Sequence, residues 1–123
     1  MVIGQQITIP PIPHGSLIEK IIVGRLVNDL IAAGYRITVN DGEEDVVTES
    51  ADPAVIFPAL ASTYSDTLTV CHTTTKGRTG QHPLTSWVLL IWGNDADIIS
   101  DYSTNLEPII KPIYGWIETL EAR

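Results

Sequence analysis

Apolar and polar positions along this chain recur with two periods, one helical and one strand-like, and the switches between them outline seven elements. From 17 to 33, Ile18, Ile21, Ile22, Val23, Leu26, Val27, Leu30 and Ile31 spread around most of a helical circumference. Ser16 followed by Glu19 is a capping-box signature at the start of that run, and Gly34 stops it. A helix apolar on so many sides is expected to be covered by more than one neighbour. Residues 35–40 alternate strictly and predict a strand, with an acidic turn over 41–45 ahead of Val46 and Val47. Asp52 before Pro53 predicts the cap and first position of a short helix over 54–63, in which Pro58 is a weak point. A second alternating strand covers 67–72 and a polar loop runs over 73–85. The run 87–92, Trp-Val-Leu-Leu-Ile-Trp, is apolar on both faces and reads as a central strand. Gly93-Asn94-Asp95 then turns the chain into 97–102, which completes a hairpin.

The last helix is predicted to start at Thr104, with Glu107 closing a second capping box. Its apolar residues Leu106, Ile109, Ile110, Ile113, Ile117 and Leu120 form one narrow stripe, while Pro108, Pro112, Gly115 and Thr119 project on the opposite face. The helix should therefore bend around the core rather than break. Ahead of the first helix, the prolines of Ile9-Pro10-Pro11-Ile12-Pro13 make residues 1–15 a Pro-rich extended arm, which is a strand edge, a strap over the core or a disordered tail. The order of elements predicts one α+β domain over 1–123. It is a mainly antiparallel sheet of about four to five strands, with two long helices and one short helix packed on it.

Composition narrows the function classes. A chain of 123 residues is long enough to bury a core without a disulfide or metal, and its single cysteine, Cys71, cannot form an internal disulfide. With no leader pattern at the N-terminus, the expectation is a cytoplasmic protein. The run 17–33 carries Glu19, Lys20, Arg25, Asn28 and Asp29, so it is not a membrane span. Fifteen acidic residues against seven basic ones give a formal charge of −8, which opposes direct binding to nucleic acid and suits either simple solubility or a basic partner.

Two groups of residues could carry chemistry. His72 and His82 flank a loop holding Lys76 and Arg78, two of the chain's seven basic residues, and a hairpin would bring the imidazoles together. That set could receive a phosphorylated or nucleotide ligand, or work as acid and base; alternatively His72, which shares the parity of Leu68 and Val70, is a partly buried histidine at a strand end. Asn94, Asp95, Asp97 and Asp101 form an acidic corner whose oxygens could hold magnesium or calcium, although turn and capping roles explain them more simply. The spacing matches no zinc signature and no nucleophile motif, so neither a cofactor nor a catalytic residue set is assigned. Trp87 and Trp92, five apart on one strand, point to opposite faces, which leaves one of them exposed or at an interface.

The segment Trp92-Gly93-Asn94-Asp95, followed by Ile98-Ile99-Ser100-Asp101-Tyr102-Ser103-Thr104-Asn105-Leu106-Glu107, resembles small uncharacterised proteins of bacteriophages and prophages. The likeness covers about the last third of the chain and brings no catalytic residues with it. It implies a bacterial cytoplasm as the setting and a protein that occupies a host component's surface. Together with 44% hydrophobic residues, this makes the expected activity protein binding rather than catalysis, with a protein partner or a second copy of the chain as the occupant. A ligand-sequestering protein or enzyme built on the 72–82 loop is the alternative.

Overall fold

A computed structural model describes residues 9–72 and 85–121. Helix α1 spans Leu17–Ala32, and its capping box is complete: the Ser16 hydroxyl accepts from the Glu19 amide and the Glu19 carboxylate accepts from the Ser16 amide. Gly34, at φ +95°, turns the chain out of the helix and directly into strand β1, Tyr35–Asn40. Around the 41–44 turn, the Asp41 carboxylate accepts from the Glu43 and Glu44 amides. Strand β2, Asp45–Ser50, extends the Val46-Val47 pair into a full hairpin arm.

Asp52 caps the next helix by accepting from the Ala54 amide, but α2 is only Pro53–Ile56. Pro58 has no N–H to continue the ladder, so the chain tightens into a 3-10 turn, Phe57–Ala59, rather than running helical to 63. Strand β3, Ser65–His72, and strand β4, Thr85–Ile91, pair antiparallel, and a 3-10 turn at Asp95–Asp97 leads into β5, Ile99–Tyr102. Helix α3 spans Glu107–Glu121. The five strands form one antiparallel sheet in the order β2-β1-β3-β4-β5, so the α+β prediction describes the molecule. Strand β4 lies inside the sheet between β3 and β5, as its apolar run implies.

The capping box predicted at Thr104 does not form. Thr104–Leu106 is itself a 3-10 turn, its first residue is preceded by Ser103, and no side chain caps it. The Ser103 hydroxyl instead accepts from the Trp87 amide at 2.8 Å, tying the entry to α3 onto β4. Because the α-helix begins only at Glu107, Thr104 stands one turn too early to cap it.

One face of the sheet carries the core. Ile37 and Val39 of β1, Leu68 and Val70 of β3, and Val88 and Leu90 of β4 are fully buried in register against α1 and α3. The α3 stripe is core as predicted: Leu106, Ile110, Ile113 and Ile117 are buried, Ile109 is half-buried, and Pro108 and Pro112 face outward. Helix α1 is covered on several sides, by the sheet, by α3 and by residues 9–15, where Pro10 and Ile12 are buried. A Cβ at Gly24 would lie 2.9 Å from the Pro10 ring, so the absence of a side chain there lets the arm lie against the helix. Arg25, paired with Asp29 at 3.2 Å, also stacks over Trp116 at 4.8 Å and joins the exposed side of α1 to α3.

Candidate functional site

Of the cationic loop set, His72 lies among the described residues and Lys76, Arg78 and His82 lie outside them. His72 ends β3 on the core-facing parity, opposite Tyr35, whose ring it meets edge-on at 5.1 Å. Its Nε2 is 2.9 Å from the Ala33 carbonyl, and a carbonyl only accepts, so that nitrogen carries hydrogen and donates. The contact holds the β3 terminus against the end of α1, where a Cβ at Gly34 would sit 2.8 Å from the same nitrogen.

The acidic corner is an arrangement of backbone donors more than of carboxylates. Asn94, Asp95 and Asp97 surround the 3-10 turn, and Asp101 stands on β5, accepting from the Tyr102 amide. Among the described residues no three His, Cys, Asp or Glu side chains group as metal ligands. What the corner does hold is the side chain of Glu19. That residue is 1% exposed, and its Oε2 accepts from the amides of Gly93, Asn94 and Asp95 at 2.7, 2.8 and 3.0 Å, while Oε1 accepts from Ser16. Gly93 at φ +97° and Asp95 at φ +51° turn the three amides toward one point, an anion-binding nest filled by the chain's own carboxylate. Burial pushes the Glu19 carboxyl up, but the four backbone donors together outweigh it and hold the group below the usual glutamate range.

A second buried carboxylate takes a donor from Trp92, the residue before this nest. Asp66, also 1% exposed, is the second residue of β3, on its core-facing side. Its Oδ2 accepts from the Ala61 amide and from the Trp92 indole, both at 2.8 Å, while its buried Oδ1 has no partner among the described residues. Burial pushes its carboxyl above the usual aspartate range, the two donors oppose that push, and the nearby Asp41 charge adds to it. An alternation that starts at 67 misses Asp66; carrying the parity of Leu68 and Val70 back by two positions puts a carboxylate on the core face.

The opposite face of the sheet presents a different chemistry. Register places Arg36, Thr38 and Asn40 of β1 beside Cys71, Thr69 and Thr67 of β3, and these beside Thr85, Trp87 and Leu89 of β4. Ile91 continues the β4 row opposite Ser65. Trp87 is 39% exposed, and Leu89 and Ile91 are half-buried, whereas the described helices bury their apolar residues with the other face. Trp87 is thus the outward member of the tryptophan pair, and Trp92 turns its indole to Asp66. Carboxylates stand at both margins: Asp45, held by the Asn40 amide group, and Glu49 on β2, and Asp101 opposite Leu89 on β5. Arg36 is the one cation of this face among the described residues.

No described helix is long and apolar enough to cross a membrane. Comparison with protein-family models, with curated proteins and with solved structures finds no match for this chain.

Proposed function

We propose that this chain is a protein-binding module that docks a partner on the outer face of its sheet. The observation that carries the reading is the row Trp87, Leu89 and Ile91 on β4, flanked by the threonines of β3 and β1 and bordered by Asp45, Glu49 and Asp101. A partly exposed tryptophan beside two aliphatic side chains on a regular sheet is a preorganised apolar anchor of the kind that dominates binding energy. Among the described residues the carboxylates at its margins stand three against Arg36, which favours a partner whose own apolar patch is ringed by lysine or arginine. The same imbalance disfavours a second copy of the chain, since like charges would meet across a two-fold axis. The likeness of the 92–107 segment to phage and prophage proteins supports a bacterial host protein as that partner.

The test is capture from bacterial lysate on immobilised wild-type chain beside Trp87→Ser and Leu89→Ser, with sedimentation equilibrium of the free chain in parallel. The expected result is a protein retained by the wild type, released by moderate salt, and lost in both variants while their Tm stays within a few degrees. Equal retention by the variants would remove the outer face from the interaction. A free wild-type chain that sediments as a dimer, and variants that sediment as monomers, would replace the basic partner with a second copy.

A further inference from the structure

The two donors that reach Asp66 come from different parts of the chain. Ala61 lies just past the 3-10 turn and is held at φ +62°, a left-handed conformation that a residue with a Cβ adopts only when its surroundings impose it. Trp92, which follows β4, donates its indole N–H to Asp66 and its backbone N–H to the Tyr64 carbonyl, and packs its ring against the backbone at Gly15. One oxygen of Asp66 therefore closes the 61–66 segment and the end of β4 together. The other oxygen is buried and has no donor among the described residues.

That asymmetry decides which protonation state the closed corner can tolerate. A neutral acid keeps Oδ2 as the acceptor for both N–H groups and places its own hydrogen on Oδ1, at the moderate cost of one unpaired polar group. A carboxylate spreads charge onto Oδ1, where no donor among the described residues stabilises it, and opening of the corner lets water supply one. The groups around it reinforce this. From the 41–44 turn the charge facing Asp66 is the carboxylate of Asp41; β4 contributes Leu90, opposite in register, and the residue after β4 contributes the indole of Trp92; the preceding segment contributes the amide of Ala61. The carboxylate of Glu19 on α1 is engaged one residue further along, by the 93–95 amides. No cation is among these groups.

We propose that Asp66 is a pH-sensitive latch: as the neutral acid it seats Ala61 and Trp92 on the start of β3, and as the carboxylate it loosens both. The latch acts on the corner formed by 61–66 and 91–95, while the register of the sheet is untouched. Its stabilising effect is complete below the ordinary aspartate value and declines as pH rises through the higher value of the folded chain.

The measurement is a pH titration of the full chain by NMR, following the Asp66 side-chain carboxyl carbon, the Trp92 indole N–H and the Ala61 amide. The latch requires the Asp66 carbon to titrate above the other aspartates, with the Trp92 and Ala61 signals moving at the same midpoint. Hydrogen exchange at those two N–H groups should then accelerate beyond base catalysis once the midpoint is passed. Asp41→Asn, which removes the facing charge, should lower the midpoint, and Asp66→Asn should abolish the coupled shifts. Should Asp66→Asn not fold, the wild-type titration and Asp41→Asn decide alone. An Asp66 carbon that titrates with the surface aspartates, or Trp92 and Ala61 signals that do not follow it, would overturn the latch and leave a trapped water as the missing partner of Oδ1.

Discussion

Glu19 and Asp66 are equally hidden from solvent and serve adjacent residues, Gly93 and Trp92, yet their carboxyls are shifted in opposite directions. Each also holds a non-glycine residue in the left-handed region, Asp95 in one case and Ala61 in the other. Asp66 is enclosed more deeply by the protein, and the donors differ as well. Glu19 has four backbone N–H groups distributed over both oxygens, so ionisation is supported on each; Asp66 has two, both on Oδ2. Low exposure alone therefore does not fix the direction in which a carboxyl shifts in this fold; depth and the number and placement of N–H groups aimed at it act together. The nest around Glu19 supplies those groups because the 93–95 turn points three consecutive amides inward, whereas the segment before β3 points one.

Removing the better-satisfied carboxylate should produce the largest loss. Glu19→Ala leaves the 93–95 amides and Ser16 without their acceptor, and a destabilisation of about 3 to 5 kcal/mol is expected in urea unfolding. Glu19→Gln should lose less, about 2 kcal/mol, because one oxygen remains but an NH2 group now faces an N–H donor. A loss within error for Glu19→Ala would mean that the 93–95 turn is held by its own backbone. Ile113→Ala provides an apolar scale for these polar effects: its side chain is fully buried on the α3 stripe, and truncation should cost roughly 2 to 4 kcal/mol. Loss of partner binding without loss of stability in that variant would instead place the stripe at an interface.

The apolar periodicity reveals the class of fold because burial on one sheet face and one helix stripe leaves a regular mark. The β1 alternation, the apolar β4 run and the α3 stripe all occupy the positions their patterns imply. Boundaries set by single polar groups are less legible. Thr104 and Glu107 have capping-box spacing, but whether a box forms depends on where the first α-turn begins, and Ser103 bonding to β4 decides that. Pro58 is visible as a breaker, while the 3-10 turn it produces is visible only in the fold. The Glu19 nest is hidden for a different reason: its partners are amides 74 to 76 residues away, and a backbone N–H has no sequence signature. Asn94 and Asp95 attract notice for their side chains, but it is their amides that bind.

The pH dependence of stability should separate the two carboxylates by sign. Glu19, lowered in the folded chain, contributes stability that is present above its ordinary value of 4.5 and is lost as pH falls through its folded value. Asp66, raised from 3.8, contributes stability that is complete below that value and is lost as pH climbs through its folded value. The gap between wild type and Glu19→Gln should therefore widen as pH rises through the acid range. The gap between wild type and Asp66→Asn, within about 1 kcal/mol throughout because the amide keeps one acceptor oxygen, should narrow or reverse over the higher window. Parallel trends in the two variants, from urea unfolding at stepped pH, would show that donor placement does not distinguish these sites.

The smallest expected effects lie at the entry to α3, where donor counting applies to hydroxyls instead of carboxylates. Ser103 accepts from the Trp87 amide at 2.8 Å, and its own amide donates to the Trp87 carbonyl at 3.0 Å, so its side chain satisfies a β4 donor beside the last strand of the sheet. Ser103→Ala should cost about 1 kcal/mol, reduced toward half that if water replaces the hydroxyl at this exposed site. Thr104 opens the 3-10 turn with no side-chain cap, and Thr104→Ala should change stability by less than about 0.5 kcal/mol despite its capping-box spacing to Glu107. Thermal unfolding of the two variants side by side discriminates between the assignments. A larger drop for Thr104→Ala than for Ser103→Ala would move the start of α3 back to the position its sequence spacing suggests, and would make the Ser103 bond to β4 incidental.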